Sequence, residues 1–139
     1  MELKTNMRDC LNDEPGTLYA DWTDGEYRCR VQRGPCSINA YIGIKEGHPL
    51  YGVNYSDITL DCHGGLTFSM MGDDKYYPEG YWWIGWDYAH LGDVPFYDIR
   101  DGRVGYEDRE WSPAGVKMEA DWVVFELEKL TKLLRMVKQ

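Results

Sequence analysis

Three histidines offer this chain most of its chemistry, and each stands in a turn-like setting beside glycine or aspartate. They occur as Gly47-His48-Pro49, Cys62-His63-Gly64-Gly65 and Asp87-Tyr88-Ala89-His90-Leu91-Gly92-Asp93. Neutral imidazole is the commonest protein ligand for a transition metal, and carboxylate is its usual hard companion. Asp87 and His90 are three residues apart, so one helical turn would aim both side chains at a single ion. His63 closes a strand-like run at two glycines, where the backbone can approach closely. Cys62 precedes it, and neighbours on an extended strand point to opposite faces, so both ligate one ion only if the chain bends there. These residue types offer one divalent metal site, zinc by donor type, drawn from His48, His63, Asp87, His90 and Asp93. The alternative is a metal-free polar cluster in which Asp87 and Asp93 hydrogen-bond His90 and the glycine-rich backbone. Cys62 is a substitute ligand, and Asp93 has an alternative role in holding a ligand imidazole from behind. Trp82, Trp83 and Trp86 would supply the dry surroundings that strengthen coordination.

A sphere closed by four protein ligands is structural, whereas an open position leaves an acidified water able to attack an ester or amide. In the second case Asp93 or Asp61 would serve as general base. The chain has no His-Glu-x-x-His, no Gly-x-Ser-x-Gly and no glycine loop beside basic residues. The structural site is thus the expectation, and a small metal-dependent hydrolase is the alternative.

The elements that must position these residues follow from hydropathy patterning. Residues 1–26 read as a polar, turn-rich segment, with Asp13-Glu14-Pro15-Gly16 and Thr23-Asp24-Gly25 as breakers. From Tyr27 the pattern alternates, with Tyr27, Cys29 and Val31 on one side and Arg28, Arg30 and Gln32 on the other, and residues 37–44 return as a second strand. Shorter strands are expected at 58–63, 66–70 and 81–86. The last of these is so aromatic that it should be buried on both faces. Residues 94–111 read as an irregular acidic loop. A helix over 112–138 should start at Ser112-Pro113, serine as cap and proline in the first turn. Its expected core stripe is Met118, Trp122, Val123, Leu127, Leu130, Leu134 and Val137. Strands first and one long helix last predict an α+β fold, an antiparallel sheet with the helix packed across one face, built as a single domain over 1–139.

Cys62-His63-Gly64-Gly65-Leu66-Thr67 and Trp82-Trp83-Ile84-Gly85-Trp86-Asp87-Tyr88-Ala89-His90-Leu91-Gly92-Asp93, with Gly47-His48-Pro49-Leu50-Tyr51-Gly52 upstream, resemble a family of small phage, prophage and bacterial proteins. That family pairs an H-G-G-[LI]-T segment with a W-W-x-G-[FW]-D-x-A-H-x-G-D segment. The matching stretches span residues 48–93, about a third of the chain. Trp86 stands where the family often has phenylalanine, and Tyr88 where it often has cysteine, so residue 88 is not expected to ligate. The resemblance implies a shared site around these histidines. Its members include anti-CRISPR proteins of streptococcal prophages, which block the RNA-guided nuclease Cas9.

Charge agrees with a protein partner. The formal net charge is −9, with twelve acids against five bases over residues 72–121. Such a surface repels nucleic-acid phosphates and complements the basic channels in which a Cas9-type nuclease holds its nucleic acids. Direct nucleic-acid binding is therefore not expected. Asp73, Asp74, Glu79, Asp98, Asp101, Glu107, Asp108 and Glu110 are the candidate contacts with that partner. No apolar run is long enough to span a membrane, and residues 1–6 lack a secretory hydrophobic stretch, so the expected location is the cytoplasm, which the resemblance implies is that of a bacterial host. Four cysteines without a paired Cys-x-x-Cys are expected to be free thiols, a Cys29–Cys36 bridge being the alternative.

Overall fold

A computed structural model describes residues 2–137. A five-stranded antiparallel sheet is built from β1 (Leu18–Asp24), β2 (Tyr27–Arg33), β3 (Ile38–Ile44), β4 (Phe68–Met71) and β5 (Trp82–Trp86). The spatial order is β1-β2-β3-β5-β4, so β5 is enclosed between β3 and β4. A short helix α1 (Phe96–Asp101) follows, and the long helix α2 (Pro113–Val137) packs against β1, β2 and β3. The α+β architecture expected from the sequence is the one observed. Position 138, the last of the expected helix, lies outside the described residues.

Alternation on the strands sets the two faces of the sheet. Tyr27, Cys29 and Val31 of β2, Ala40, Ile42 and Ile44 of β3, and Ile84 and Trp86 of β5 form one buried face. Helix α2 covers it with Val116, Ala120, Val123, Val124 and Leu127. Each fully buried aliphatic side chain of this kind contributes about 1.5–3 kcal/mol relative to exposure. Ser112 caps the helix, its Oγ accepting from the Gly115 N–H at 3.1 Å, as the sequence predicts.

Four expectations need correction. The polar segment 1–26 contains a 3-10 turn (Met7–Cys10) and the edge strand β1, whose inner residues are diluted by acids and therefore hide the alternation. Residues 58–63 form no strand; Ile58 and Leu60 are buried from an irregular loop. The helix stripe is rotated from its expected phase. Val123 and Leu127 are buried, but Met118, Trp122 and Val137 are exposed at 74%, 47% and 82%. The cause is that α2 is apolar on two sides, and periodicity alone does not say which side meets the sheet. Residues 94–111 are also more ordered than expected, because α1 forms within them and ends at Gly102 in the left-handed region (φ 68°).

All four cysteines are free, Cys10 and Cys29 buried, Cys36 and Cys62 half-buried. Among the described residues no helix is long and apolar enough to cross a membrane.

Candidate metal and acid–base site

Two loops meet beyond the Trp86 end of β5. The first turns at Cys62–Gly65, where Gly64 (φ 68°) and Gly65 (φ 82°) take left-handed conformations and the Gly65 N–H bonds the Cys62 carbonyl at 2.9 Å. A Cβ on Gly64 would overlap the His90 ring, so glycine there is what allows the second loop to close on the first. The second loop runs from Asp87 to Asp93. The Asp93 N–H closes it on the His90 carbonyl. The Arg109 backbone accepts from the Val94 N–H and donates to the Gly92 carbonyl, which brings Trp111 alongside.

At the meeting point stands a buried carboxylate. Asp93 lies 2.9 Å (Oδ1) and 2.7 Å (Oδ2) from His63 Nε2. Its Oδ1 also accepts from the Trp111 indole Nε1 at 3.0 Å, and its Oδ2 from the His90 backbone N–H at 3.0 Å. A carboxylate only accepts, so the neutral His63 ring carries its hydrogen on Nε2 and leaves Nδ1 with a lone pair. Nδ1 makes no hydrogen bond to any described residue. The ring is fixed from both sides, stacked on Tyr88 (4.4 Å between centroids, 16° between planes) and met by the edge of Trp111 at 5.0 Å. Tyr88 is itself anchored, since its hydroxyl donates to Glu119 Oε1 at 2.6 Å and accepts from Trp86 Nε1 at 3.1 Å. Burial and the Glu119 carboxylate raise the Tyr88 pKa well above its ordinary value, so it remains a phenol.

His63 lines a cleft of about 220 Å³ with Asp61, Cys62, Glu119, Trp122 and Val123. Burial, with Asp61 and Glu119 nearby, pushes the Cys62 thiol up to about 12. At neutral pH it is neither a nucleophile nor a ready-made thiolate ligand.

His90 is placed differently. Its ring centroid lies 5.8 Å from that of His63, and its Nε2 is 3.2 Å from Asp87 Oδ1. The alignment is too poor for a hydrogen bond, leaving Nε2 a buried polar atom without a partner. Asp87 instead accepts from the Ala89 N–H and the Thr67 hydroxyl. The structure thus brings His63, Asp87, His90 and Asp93 into one neighbourhood. Among the described residues no three His, Cys, Asp or Glu side chains already converge as a ligand set.

His48 stands apart. Its Nδ1 accepts from the Leu50 N–H at 3.0 Å, and its Nε2 meets the Tyr27 hydroxyl at 2.8 Å and Thr131 Oγ1 at 3.0 Å. Thr131 lies nine residues along α2 from Trp122 of the cleft, about 13 Å at the helical rise. Both nitrogens are occupied in the core, and burial lowers the His48 pKa below its usual value. The expected tryptophan shell is also redistributed. Trp83 lies on the outer sheet face, where its Nε1 donates to the Pro78 carbonyl, and Trp82 donates to the Val53 carbonyl. Tyr88, Trp111 and Glu119, none of them chosen from sequence as site residues, build the surroundings instead.

The candidate partner acids fall into two groups at opposite ends of β5, which spans roughly 13 Å. Asp73 and Asp74 accept backbone N–H groups within the β4–β5 turn, close to Glu79. Asp98 and Asp101 are on α1, with Glu107, Asp108 and Glu110 in the loop after it. Glu110 is engaged by Arg8 at 2.9 Å, and Asp108 accepts from the Gly105 N–H.

No family model, no curated protein and no solved structure matches this chain.

Proposed function

We propose that the protein is an acidic inhibitor that docks on the basic nucleic-acid channel of a Cas9-type nuclease and blocks DNA loading. The observation that carries this reading is the composition of segment 91–108. Leu91 and Tyr106 are fully exposed and Tyr97 half-exposed, beside Asp98, Asp101, Glu107 and Asp108. Exposed aromatic and aliphatic anchors amid acids that outnumber Arg100 and Arg103 of the same segment match the make-up of a protein-binding surface, where aromatic side chains carry affinity and charge steers approach. At the opposite end of β5, the 73–79 turn adds exposed Tyr76 beside Asp73 and Asp74. Purified protein added to a nuclease–guide complex is expected to suppress cleavage of target DNA. Replacing Glu107 and Asp108 by lysine together is expected to relieve that suppression, and undiminished cleavage with wild-type protein in excess contradicts the reading.

A second reading concerns the site and is favoured by the orphaned His90 Nε2. The donors that would hold a zinc ion are His63 Nδ1, His90 Nε2 and Asp87, with Asp93 orienting His63 from behind, as carboxylates do for metal-bound imidazoles. Nitrogen and oxygen donors of this kind suit zinc. Bound there, the ion would tie the two loops together and contribute folding energy. Elemental analysis of purified protein should find one zinc per chain, and a chelator should lower Tm in the wild type but not in His90→Ala. Chelator-sensitive turnover of a simple ester would move the reading toward hydrolysis.

A further inference from the structure

The face of the sheet turned away from α2 carries a feature that neither the charge nor the histidines foreshadow. Gly85 sits opposite Tyr41 in the β3–β5 ladder, and a Cβ there would overlap the Tyr41 ring, so glycine lets that ring lie down on the sheet. Phe68 meets Tyr41 edge-on at 5.4 Å, and Tyr77, carried back over the sheet by the β4–β5 turn, lies 5.0 Å from Tyr41 and 5.1 Å from Phe68. The result is an aromatic floor beneath a cleft of about 520 Å³, within the size range of small-molecule sites.

Its walls are basic. No carboxylate lines this cleft, although the chain contains 24 acids. Lys75 and Arg30 reach it, and both also line an adjoining polar space of about 250 Å³. The Lys75 ammonium has no hydrogen bond or ion pair to any described residue and stands 5.2 Å from the Tyr76 ring. Arg30 gives Nε to Asp21 at 3.3 Å and Nη1 to Gln32 at 3.4 Å, leaving Nη2 without a partner among the described residues. Asp74, the one acid in the adjoining space, has Oδ1 committed to the Glu79 N–H. Tyr76 is 62% exposed at the rim.

We propose that this cleft binds a small planar aromatic anion of the nucleoside monophosphate class. The ring stacks on the Tyr41–Tyr77 floor under Tyr76, and the phosphate is met by the free donors of Lys75 and Arg30. Stacking on an aromatic side chain is favourable for any base, and the unpaired Lys75 ammonium, with the free Nη2 of Arg30 whose Nε is held by Asp21, is a complement for one phosphate. A longer polyanion is disfavoured by the net charge of the chain. The cleft shares the 73–79 turn, with Tyr76, with the surface proposed for nuclease docking, but it uses neither the 91–108 segment nor the histidine loops, and titration of the protein without nuclease tests it separately.

Calorimetric titration of the intact protein with AMP, adenosine and inorganic phosphate tests it. AMP is expected to bind with Kd on the order of 0.1 mM, with adenosine and phosphate each at least about tenfold weaker. Lys75→Ala and Tyr76→Ala, both exposed turn positions, are expected to weaken AMP binding about tenfold without lowering Tm. Absence of AMP binding at millimolar concentration, phosphate binding as well as AMP, or an unaltered Kd in Lys75→Ala would each overturn the proposal.

Discussion

Trp111 and His63 meet on one oxygen: Asp93 Oδ1 lies 3.0 Å from the indole nitrogen and 2.9 Å from the imidazole nitrogen. Residues 63, 93 and 111 come from three separate loops, so this carboxylate ties together the whole end of the molecule beyond β5. Removing it leaves the indole N–H, the imidazole N–H and the His90 backbone N–H without an acceptor. Buried donors left unsatisfied cost about 1–3 kcal/mol each. Asp93→Ala is therefore expected to lose roughly 3 kcal/mol or more of stability, and Trp111→Phe, which removes one donor and keeps a ring, about 1 kcal/mol. Urea unfolding of the two variants checks the order, with the slope m unchanged and the midpoint displaced.

Glycine 64 predicts a different kind of defect. Its φ of 68° disfavours any side chain, and a Cβ would stand inside the His90 ring. Gly65 (φ 82°) has open space around it. Gly64→Ala should cost about 2 kcal/mol or more and Gly65→Ala about 1 kcal/mol, the backbone part alone. The two melting temperatures, compared side by side, read out the closeness of the loops.

Acid should weaken the fold through His48. Burial lowers its pKa in the native state below the value of 6.5 for a free imidazole, so the unfolded chain binds the proton first. The stability from neutral His48 is complete above about pH 6.5 and is lost as pH falls from there toward the depressed native value. The hydrogen-bond pattern explains the resistance to protonation, because Nδ1 faces the Leu50 N–H and has no acceptor for a second proton. His48→Gln should flatten the dependence of unfolding free energy on pH below about 6.5, measured by urea titration at each pH.

The phase of α2 is tested by paired truncations. Leu127→Ala empties a fully buried position and should cost about 2–5 kcal/mol, whereas Met118→Ala, on the outward face, should stay within about 0.5 kcal/mol. Equal losses at both positions would contradict the observed rotation.

The contrast between α2 and β1 shows what the residues disclosed in advance. Helix, cap and strand pair β2–β3 were legible, because serine before proline, strict alternation and glycine breaks each have a local physical meaning. β1 was not, since Asp21, Thr23 and Asp24 on an edge strand face water and erase the apolar signal. The phase of α2 was hidden by its second apolar side, with Trp122 and Phe125 as prominent as Val123 and Leu127. At the candidate site, His63, Asp87, His90 and Asp93 were singled out by residue type and turn-like setting, and the structure places them in one neighbourhood. Trp111 and Glu119 were not, because only the backbone pairing of Arg109 with the 92–94 segment and the docking of α2 bring them near. Fully paired in the core, His48 stands in a glycine-containing turn as His63 and His90 do, and residue type alone does not separate the two fates.

The central claim is occupation of a nuclease's DNA channel, and competition for labelled target DNA tests it most directly. With a Cas9–guide complex held constant, rising concentrations of the protein should displace the DNA, and added salt should weaken the protein's hold by screening its charges. A stable complex containing nuclease, target DNA and this protein together would contradict the account.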